Sequence, residues 1–598
     1  MVPALAQALS AEPVFALNTP WHAGFVLRVA VTPDERRVVT AGFDKTIRVW
    51  DAGTGQELRR FFLPVRDAGD GRVTALALSP DGERLAVGGG LSGFGKGKAV
   101  LVVSLADGRI ERTLGGFNLS ARTVAWSKDG GLLAVGMDGH EGPSRVHVFE
   151  TATWNRVFDD RDIRGRVDAI EFRRDGAFVA VTNNGTIDSE AFLYRPSGKT
   201  FQRVAQRSFG VRGAMRAAWS ADETRLYVGG HGYLAGEDLA DAARPGGSTR
   251  APSAEGFAAV RESSDGARVY AASWGRAAET GRLRRYRDRS LRHYDELVIP
   301  DARVADFAVL RDGTLVYVSQ EGAVAAIGPD FKPLWRQAAR SPWLRGSPER
   351  LKVSTDGRWV AMPLPRDAKD GEIAFNLYEP RFERMANLAT EWVEPMTSRP
   401  GVQVLAWKDS YKGTVNGNPL PRHHGRETAL SIAVHSAEPG LVYGSSLGRL
   451  RRVSADGKAV WMRPLAGDIS AVHLIEAAGL VLAATEDGFL RAIRWADGAT
   501  VMSYFLQPAE RRWIAVSDGG YFESGVGAED LAGWIVNRGT GQTADFYPLS
   551  RFREQFLLPG VAGHALEARD GVKGVERALA AQARLSGQRR EEADARVE

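Results

Sequence analysis

VAVTPDERRVVTAGFDKTIRVWDAGTG, which spans residues 29–55, alternates short apolar runs with turn residues. The runs at residues 29–31, 38–41 and 47–50 have the length and the β-branched content of short strands. Pro33-Asp34 and Asp44-Lys45, which separate these runs, are typical of tight turns, and residues 51–55 turn toward a fourth strand. Four short strands joined by such turns are the composition of one β-propeller blade.

The same pattern returns along the chain at nearly constant spacing. An aspartate in the first turn recurs eight times at intervals of 43–48 residues, and glycine follows it in six repeats. Weaker copies with glycine turns continue to residue 519, which gives about twelve repeats similar to WD40 repeats. We expect the eight aspartates to form turns rather than paired catalytic carboxylates: Asp34, Asp81, Asp129, Asp175, Asp222, Asp265, Asp312 and Asp356.

Twelve repeats are too many for one ring, because a propeller typically has about four to eight blades. We therefore predict an all-β chain with two WD40-type β-propellers in tandem and a short C-terminal helical tail. The first propeller, of about seven blades, is expected over residues 1–337. Residues 338–349 have the Pro, Ser and Arg content of a connector. Residues 350–549 are then expected to form the second propeller, of five to six blades.

The sequence period changes at residue 550. Apolar residues there follow helical spacing instead of strand alternation, namely Phe552, Phe556, Leu557, Val575, Leu579 and Leu585. Residues 587–598 (GQRREEADARVE) are nearly all charged or small, and we expect them to form a solvated, frayed end. Residues 550–598 are therefore assigned to a helical and charged tail.

Composition excludes several classes of protein. The 598 residues include no cysteine, which excludes disulfides, zinc–thiolate sites and a cysteine nucleophile. The net charge of +5 is mild over this length and does not by itself imply nucleic acid. No apolar run approaches the about 18 residues of a membrane helix, and the first residues lack the basic and long apolar regions of a signal peptide. We expect a cytoplasmic protein that binds no membrane.

Residues 236–256 (GEDLADAARPGGSTRAPSAEG) interrupt the repeats and show no strand pattern. We expect a mobile loop there that is open to proteases, because a protease binds a locally extended and unpaired chain. Asp238 and Asp241 would suit an Asp-directed protease, and Arg244 and Arg250 an Arg-directed one. If the protein is itself a protease substrate, the first cut is predicted in this loop.

The stretch from residue 512 to residue 556 reads RWIAVSDGGYFESGVGAEDLAGWIVNRGTGQTADFYPLSRFREQF. Its RW, GYF, GW, VNRG and DFYP elements, followed by RFR, resemble a signature of bacterial WD40-repeat proteins of the caspase family, in which propellers precede a caspase-like peptidase domain. Upstream, residues 414–420, 430–433 and 487–491 also resemble that family, so the similarity covers almost the whole chain.

Two departures from that family bear on function. We expect no peptidase domain after the signature, and the 598 residues contain no cysteine to serve as its nucleophile. The resemblance implies the regulatory, partner-binding half of a caspase-type defence or signalling system. We expect no catalytic residue, no cofactor and no metal, and a protein partner: a caspase-like protease or a signalling protein that this chain controls.

The signature is dense in aromatic residues, with eight between residues 513 and 556. Some of them are expected to close the second propeller. Others, mainly those on the helical part, would pack on a partner as on the attached peptidase domain of the relatives. The predicted partner-binding residues are Trp534, Phe546, Tyr547, Phe552 and Phe556.

The sequence leaves two alternative functions open, nucleic-acid binding and catalysis. Residues 281–294 (GRLRRYRDRSLRHY) combine six arginines with two tyrosines, a pattern that grips phosphates and stacks bases. The competing interpretation of these residues is an outer hairpin with Leu283 and Leu291 inward and the arginines in water.

The other alternative function is that of a propeller enzyme with a metal or cofactor on its axis. It needs convergent Asp, Glu, Asn or His side chains, and the repeats show no such position. His423 and His424, adjacent in a polar loop, lack the spacing of a metal site.

Overall fold

The computed structural model describes residues 7–67, 70–139, 143–183, 188–209, 213–238, 249–250, 256–274, 280–299, 303–338, 344–363, 373–408, 410–422 and 427–594. The chain divides into two compact units. The first comprises Met1–Val14, Pro20–Ala339 and Ile535–Phe546, and the second comprises Phe15–Thr19, Arg340–Trp534 and Tyr547–Glu598. Residues 535–546 thus belong to the first unit, although the sequence analysis placed them in the second propeller.

The first unit contains seven four-stranded antiparallel sheets, which are the blades of a β-propeller. Strands β1 (Gln7–Ala8) and β2 (Val14–Leu17) precede them, and β9 (Phe94–Gly95) pairs with β1. The blades are β3–β6 (Val26–Val31, Arg37–Gly42, Thr46–Asp51, Glu57–Phe62), β7, β8, β10 and β11 (Val73–Leu78, Arg84–Gly89, Lys98–Ser104, Ile110–Phe117), β12–β15 (Ala121–Trp126, Leu132–Met137, Pro143–Glu150, Arg156–Arg164), β16–β19 (Arg166–Phe172, Phe178–Asn183, Glu190–Ser197, Thr200–Ser208), β20–β23 (Ala214–Trp219, Arg225–Gly230, Tyr233–Asp238, Thr249–Arg250), β24–β27 (Gly256–Glu262, Val269–Trp274, Gly281–Tyr286, Tyr294–Ile299) and β28–β31 (Val304–Val309, Leu315–Ser319, Val324–Ile327, Pro333–Gln337).

The ring of blades is closed. The first strand of each blade packs against the first strand of the next, and β28 of the seventh blade packs against β3 of the first, so the first strands surround the axis. At the closing contact, Val26, Val38 and Trp50 share a buried cluster with Val316 and Val318. Further out, the indole Nε1 of Trp335 donates to the Ala52 carbonyl at 2.9 Å. Closure leaves these sheets without free inner edges.

The aspartates of the repeat form turns, as predicted. In six repeats the carboxylate accepts a hydrogen bond from a serine or threonine hydroxyl two residues earlier, as Asp129 does from Ser127 at 2.5 Å. The glycine after the aspartate adopts a φ between 69° and 86° in all six repeats that have one. Glu35 and Glu223, which replace it, adopt a φ of 59°, so the turn itself demands the left-handed conformation.

Among the described residues, four sheets lie wholly within the second unit, fewer than the five to six blades expected. The repeat with its turn near Gly519 makes no separate blade, because its strand β48 pairs with β47 and extends the preceding sheet to six strands. The sheets are β32–β36 (Lys352–Ser354, Trp359–Met362, Ile373–Asn376, Arg381–Arg384, Trp392–Val393), β37–β39 (Val404–Leu405, Thr414–Val415, Asn418–Pro419), β40–β43 (Ala429–Val434, Gly440–Ser445, Arg449–Ser454, Ala459–Pro464) and β44–β49 (Ile469–Ile475, Leu480–Thr485, Phe489–Arg494, Thr500–Gln507, Arg512–Val516, Phe522–Ser524); β50 (Ala532–Val536) and β51 (Asp545–Pro548) follow them.

The tail is helical, as predicted, with α1 (Arg553–Phe556), α2 (Val561–Ala568) and α3 (Gly571–Asp594). The charged end expected to fray is helical to Asp594, which suits the strong helix formers Arg, Glu and Gln there. Helix α2 buries Val561, Ala562 and Leu566 in the core of the second unit. None of the described helices combines the length and the apolar content needed to cross a membrane.

Candidate functional site

A buried hydrogen-bond network lies in the first blade. The indole Nε1 of Trp50 donates to the Thr40 hydroxyl at 2.8 Å, and that hydroxyl is 2.7 Å from Nε2 of His22. Nδ1 of His22 is 3.0 Å from the carboxylate of Asp44. Because the Asp44 carboxylate only accepts, a neutral His22 ring carries its proton on Nδ1, facing Asp44, and its Nε2 accepts from the Thr40 hydroxyl. The chain Trp50–Thr40–His22–Asp44 is thus completely satisfied.

Arg48 adds a charge to the same network. Its guanidinium is fully buried and lies 3.2 Å from Asp44 and 3.5 Å from Glu57. Burial alone would raise the pKa of the Asp44 carboxyl, but His22 and Arg48 hold that pKa well below its usual range. Burial lowers the pKa of His22, and the Arg48 charge adds to this, so the imidazole stays neutral at pH 7. A completely satisfied buried network of this kind favours a single conformation of the blade.

This network was not predicted from the sequence, where Asp44 was assigned to a turn. The signal was present as a histidine in the loop before the first strand of the blade, 18 residues before Thr40 and 22 before Asp44. No other repeat keeps this set of four residue types, which is why periodicity alone did not reveal it.

Residues 535–546 of the C-terminal signature are attached to the first propeller. The Asn537 side chain accepts from the Val65 amide at 2.9 Å and donates to the Val65 carbonyl at 2.7 Å. The Ala544 amide donates to the Phe62 carbonyl at 2.7 Å, and the Phe546 ring stacks on the Phe62 ring at 4.7 Å between centroids. The Phe546 ring therefore packs on the first blade.

Three other predicted partner-binding aromatics pack on one another in the second unit. Trp534 lies 5.4 Å from Phe552 and 5.8 Å from Phe556 between ring centroids, and Phe556 lies 5.5 Å from Tyr521. All four rings are half-exposed. Tyr547, the fifth predicted residue, is also half-exposed and lies under the Arg551 guanidinium at 4.8 Å. We call Trp534, Phe552 and Phe556 the aromatic triad.

The predicted protease-sensitive loop is partly strand. Asp238 ends β22, with its carboxylate 3.8 Å from Nε of Arg225, and Arg250 belongs to β23, which pairs with β22. The expectation of an unpaired chain is therefore wrong for Asp238 and Arg250, because the strand that starts at Tyr233 continues past the glycine at 236 and is paired on both sides. Asp241 and Arg244 lie outside the described residues, as do His423 and His424.

The arginine-rich stretch is an outer hairpin. Leu283 and Leu291 are buried, as the competing interpretation predicted. Five of the six arginines lie within 4 Å of carboxylates, including Arg284 with Glu296 at 2.8 Å and Arg289 with Glu262 at 2.8 Å. Guanidinium groups paired in this way are poorly placed to bind phosphates, and this argues against the nucleic-acid alternative.

The axis of the first propeller is charged. Its innermost strands carry Arg28, Arg122, Arg166, Arg216 and Arg261, which we call the axial arginine cluster. Periodicity did not reveal the cluster because the five arginines do not share one position within their strands. Among the described residues, no group of three or more His, Asp or Glu side chains is arranged to hold a metal ion, so the axial-metal alternative gains no support.

A cavity of about 200 Å³ lies beside strand β14, lined in part by Phe117, Arg145, His147 and Arg156. The His147 ring stacks on Phe117 at 5.2 Å between centroids. Its Nδ1 lies 3.1 Å from Asp159 without the geometry of a hydrogen bond. Burial, with the charge of Arg156, lowers the pKa of His147 to about 4, so this imidazole is neutral at pH 7.

Residues 13–51 match the family model described as WD40: WD domain, G-beta repeat. This stretch contains all four members of the Trp50–Thr40–His22–Asp44 network. The match and the closed ring agree on a WD40-type propeller. Among solved structures, the Kuenenia stuttgartiensis hydrazine synthase is similar at 15% sequence identity, over 53% of this chain and 98% of that chain, with a TM-score of 0.42.

Proposed function

We propose that the protein is a non-catalytic interaction scaffold in a bacterial caspase-like proteolytic system, where it binds and controls a protein partner in the cytoplasm. The observation that carries the proposal is the C-terminal signature, whose segment 535–546 is hydrogen-bonded to the first and second blades. A rigid ring that holds such a segment in place is suited to presenting a docking surface. The partner is a caspase-like protease or a signalling protein that this chain restrains.

The aromatic triad is the proposed contact surface for that partner. Half-exposed aromatic side chains are enriched at the centres of protein interfaces, where they supply most of the binding free energy. Tyr547 with Arg551 offers a second contact of the same kind. Phe546 is assigned a different role, because its ring is stacked within the first unit.

The test mixes the purified full chain with a caspase-like protease of its host and measures complex formation and peptide turnover. We expect a complex, a changed protease rate and no turnover of Asp- or Arg-directed peptides by this chain alone. Phe552→Ala and Phe556→Ala should weaken the complex, while Tyr411→Ala, an exposed aromatic outside the signature, should not. Melting temperatures separate lost binding from lost folding. Absence of a complex, or equal binding by folded triad variants, would overturn the proposal.

A second outcome of the same mixture is cleavage of this chain. We infer that a cut falls at Asp241 or Arg244, since Asp238 and Arg250 belong to paired strands. Fragment masses after limited proteolysis identify the site. A first cut inside a blade would contradict this inference.

A further inference from the structure

Two members of the axial arginine cluster reach across the ring. Arg28, on the first blade, donates from Nη1 to the Leu27 carbonyl at 3.0 Å and from Nη2 to the Arg122 carbonyl of the third blade at 3.2 Å. Arg216, on the fifth blade, donates from Nη2 to the same Leu27 carbonyl at 3.3 Å. These bonds skip the intervening blades, so they cross the central opening. Because both guanidinium groups bond to one oxygen, they lie side by side.

Arg28 and Arg216 are buried without a counter-charge in contact. They are 6% and 9% exposed, and within the described part of the chain neither lies within ion-pair distance of a carboxylate. All of their hydrogen bonds go to backbone carbonyls. The Nε–H of Arg216 is buried and has no acceptor among the described residues.

The other three members of the axial arginine cluster lie within ion-pair distance of carboxylates. Arg122 and Arg166 each lie 2.7 Å from Asp168, and Arg261 lies 3.5 Å from Asp306. Burial raises the pKa of the nearby Glu171 carboxyl. Among the described residues, the five arginines outnumber the acidic groups around them, which are Asp168, Asp306, Glu171 and Asp138, so the axis keeps an excess of positive charge.

The two kinds of arginine differ in their electrostatics. Burial alone would lower the pKa of Arg122, but Asp168 and Asp138 raise it above its ordinary value. Burial lowers the pKa of Arg216 to about 10, since the attraction of Asp306 is offset by the repulsion of Arg261. Carbonyl hydrogen bonds satisfy donors, but they do not neutralise a net charge in a low-dielectric interior.

We propose that the axial arginine cluster binds an oxyanion, a carboxylate or phosphate group, between Arg28 and Arg216. The planar guanidinium presents a fork of N–H donors that matches both groups, and an anion there supplies the missing counter-charge. Solvent reaches the axial arginine cluster at Arg122 and Arg261, whose side chains remain 17% and 29% exposed. The oxyanion belongs to a small free ion or to an acidic side chain of a protein segment. This inference does not depend on the proposed caspase-like partner.

The test is calorimetric titration of the full chain with sodium pyrophosphate and, separately, with a hexaglutamate peptide, at matched ionic strength. We expect saturable binding of at least one of them, with the tighter ligand identifying the source of the oxyanion. Arg28→Met and Arg216→Met should each weaken binding by about tenfold to a hundredfold, the loss expected for charge-assisted hydrogen bonds. Arg287→Met, on the outer hairpin, is the matched control and should bind like the unmodified chain.

Two results would overturn the proposal: no saturable binding of either probe, or equal binding by the axial variants and the control. Arg216→Lys provides a further measurement, because it keeps the charge but loses the fork, and it should bind more weakly than the unmodified chain. Circular dichroism verifies folding of each variant. If one methionine variant fails to fold, the other and the lysine variant carry the test.

Discussion

Arg48 and Arg216 are both buried arginines of the first propeller, but their surroundings differ. Arg48 contacts two carboxylates, those of Asp44 and Glu57, inside a network whose donors and acceptors match. Arg216 bonds to backbone carbonyls, and its Nε–H has no acceptor in the part of the chain that the structure describes. A completely satisfied polar network stabilises one conformation, whereas a buried charge without a counter-charge costs folding free energy. The difference distinguishes a structural arginine from one placed to bind a ligand.

The largest predicted effect comes from removing the counter-charge of Arg48. Asp44→Ala leaves that guanidinium with Glu57 alone and removes the acceptor of His22 and Thr46. We expect a loss of about 3–5 kcal/mol in the stability of the first blade, the usual cost of breaking a buried ion pair. Hydrogen exchange of peptides from residues 26–62, followed by mass spectrometry, reports it locally. Exchange like that of the unmodified chain would show that the network does not hold the blade.

The second-largest loss of stability is expected on acidification, because His147 is buried and neutral in the folded chain. The pKa of His147 is lowered to about 4, so between pH 6.5 and pH 4 the unfolded chain binds a proton that the folded chain does not. Stability from this group is complete above pH 6.5 and falls with decreasing pH, by up to about 3 kcal/mol at pH 4. Melting temperatures across this range measure the slope. His147→Gln should make this slope smaller. An unchanged slope would show that His147 does not cause the loss of stability at low pH.

A smaller loss is expected from the hydroxyl at the centre of the network. Thr40→Val keeps the shape of the side chain but leaves the Trp50 N–H and His22 Nε2 without partners. The expected cost is about 1–3 kcal/mol, the desolvation penalty of unsatisfied buried groups. Thr40→Ser keeps the hydroxyl and serves as the control. Equal hydrogen exchange in the two variants would show that the Thr40 hydroxyl does not stabilise the blade.

Much of the fold could be predicted from the sequence, because blades repeat local signals. Turn aspartates such as Asp129 and the glycines after them mark the hairpins, and the apolar runs between the turns mark the strands. The sheets of the second unit were harder, because β48 pairs with the adjacent β47 as a hairpin, and the local pattern does not show whether such a strand starts a new blade or extends the preceding sheet. The functional candidates were hardest. The contacts of Arg28 and Arg216 join residues 94 and 189 positions apart, and only ring closure brings them together.

The most direct test of the account compares Arg48→Met with Arg216→Met in buffer without added oxyanion. Urea unfolding of the full chain gives the change in the free energy of unfolding for each variant. Hydrogen exchange shows whether that change lies within the first propeller. Arg48→Met should lose about 3–5 kcal/mol, because Asp44 is left buried without a cation. Arg216→Met should leave the stability unchanged or raise it, because it removes a buried charge that lacks a counter-charge. If Arg216→Met destabilises the propeller as much as Arg48→Met does, Arg216 is a structural residue and the distinction between the two arginines is wrong.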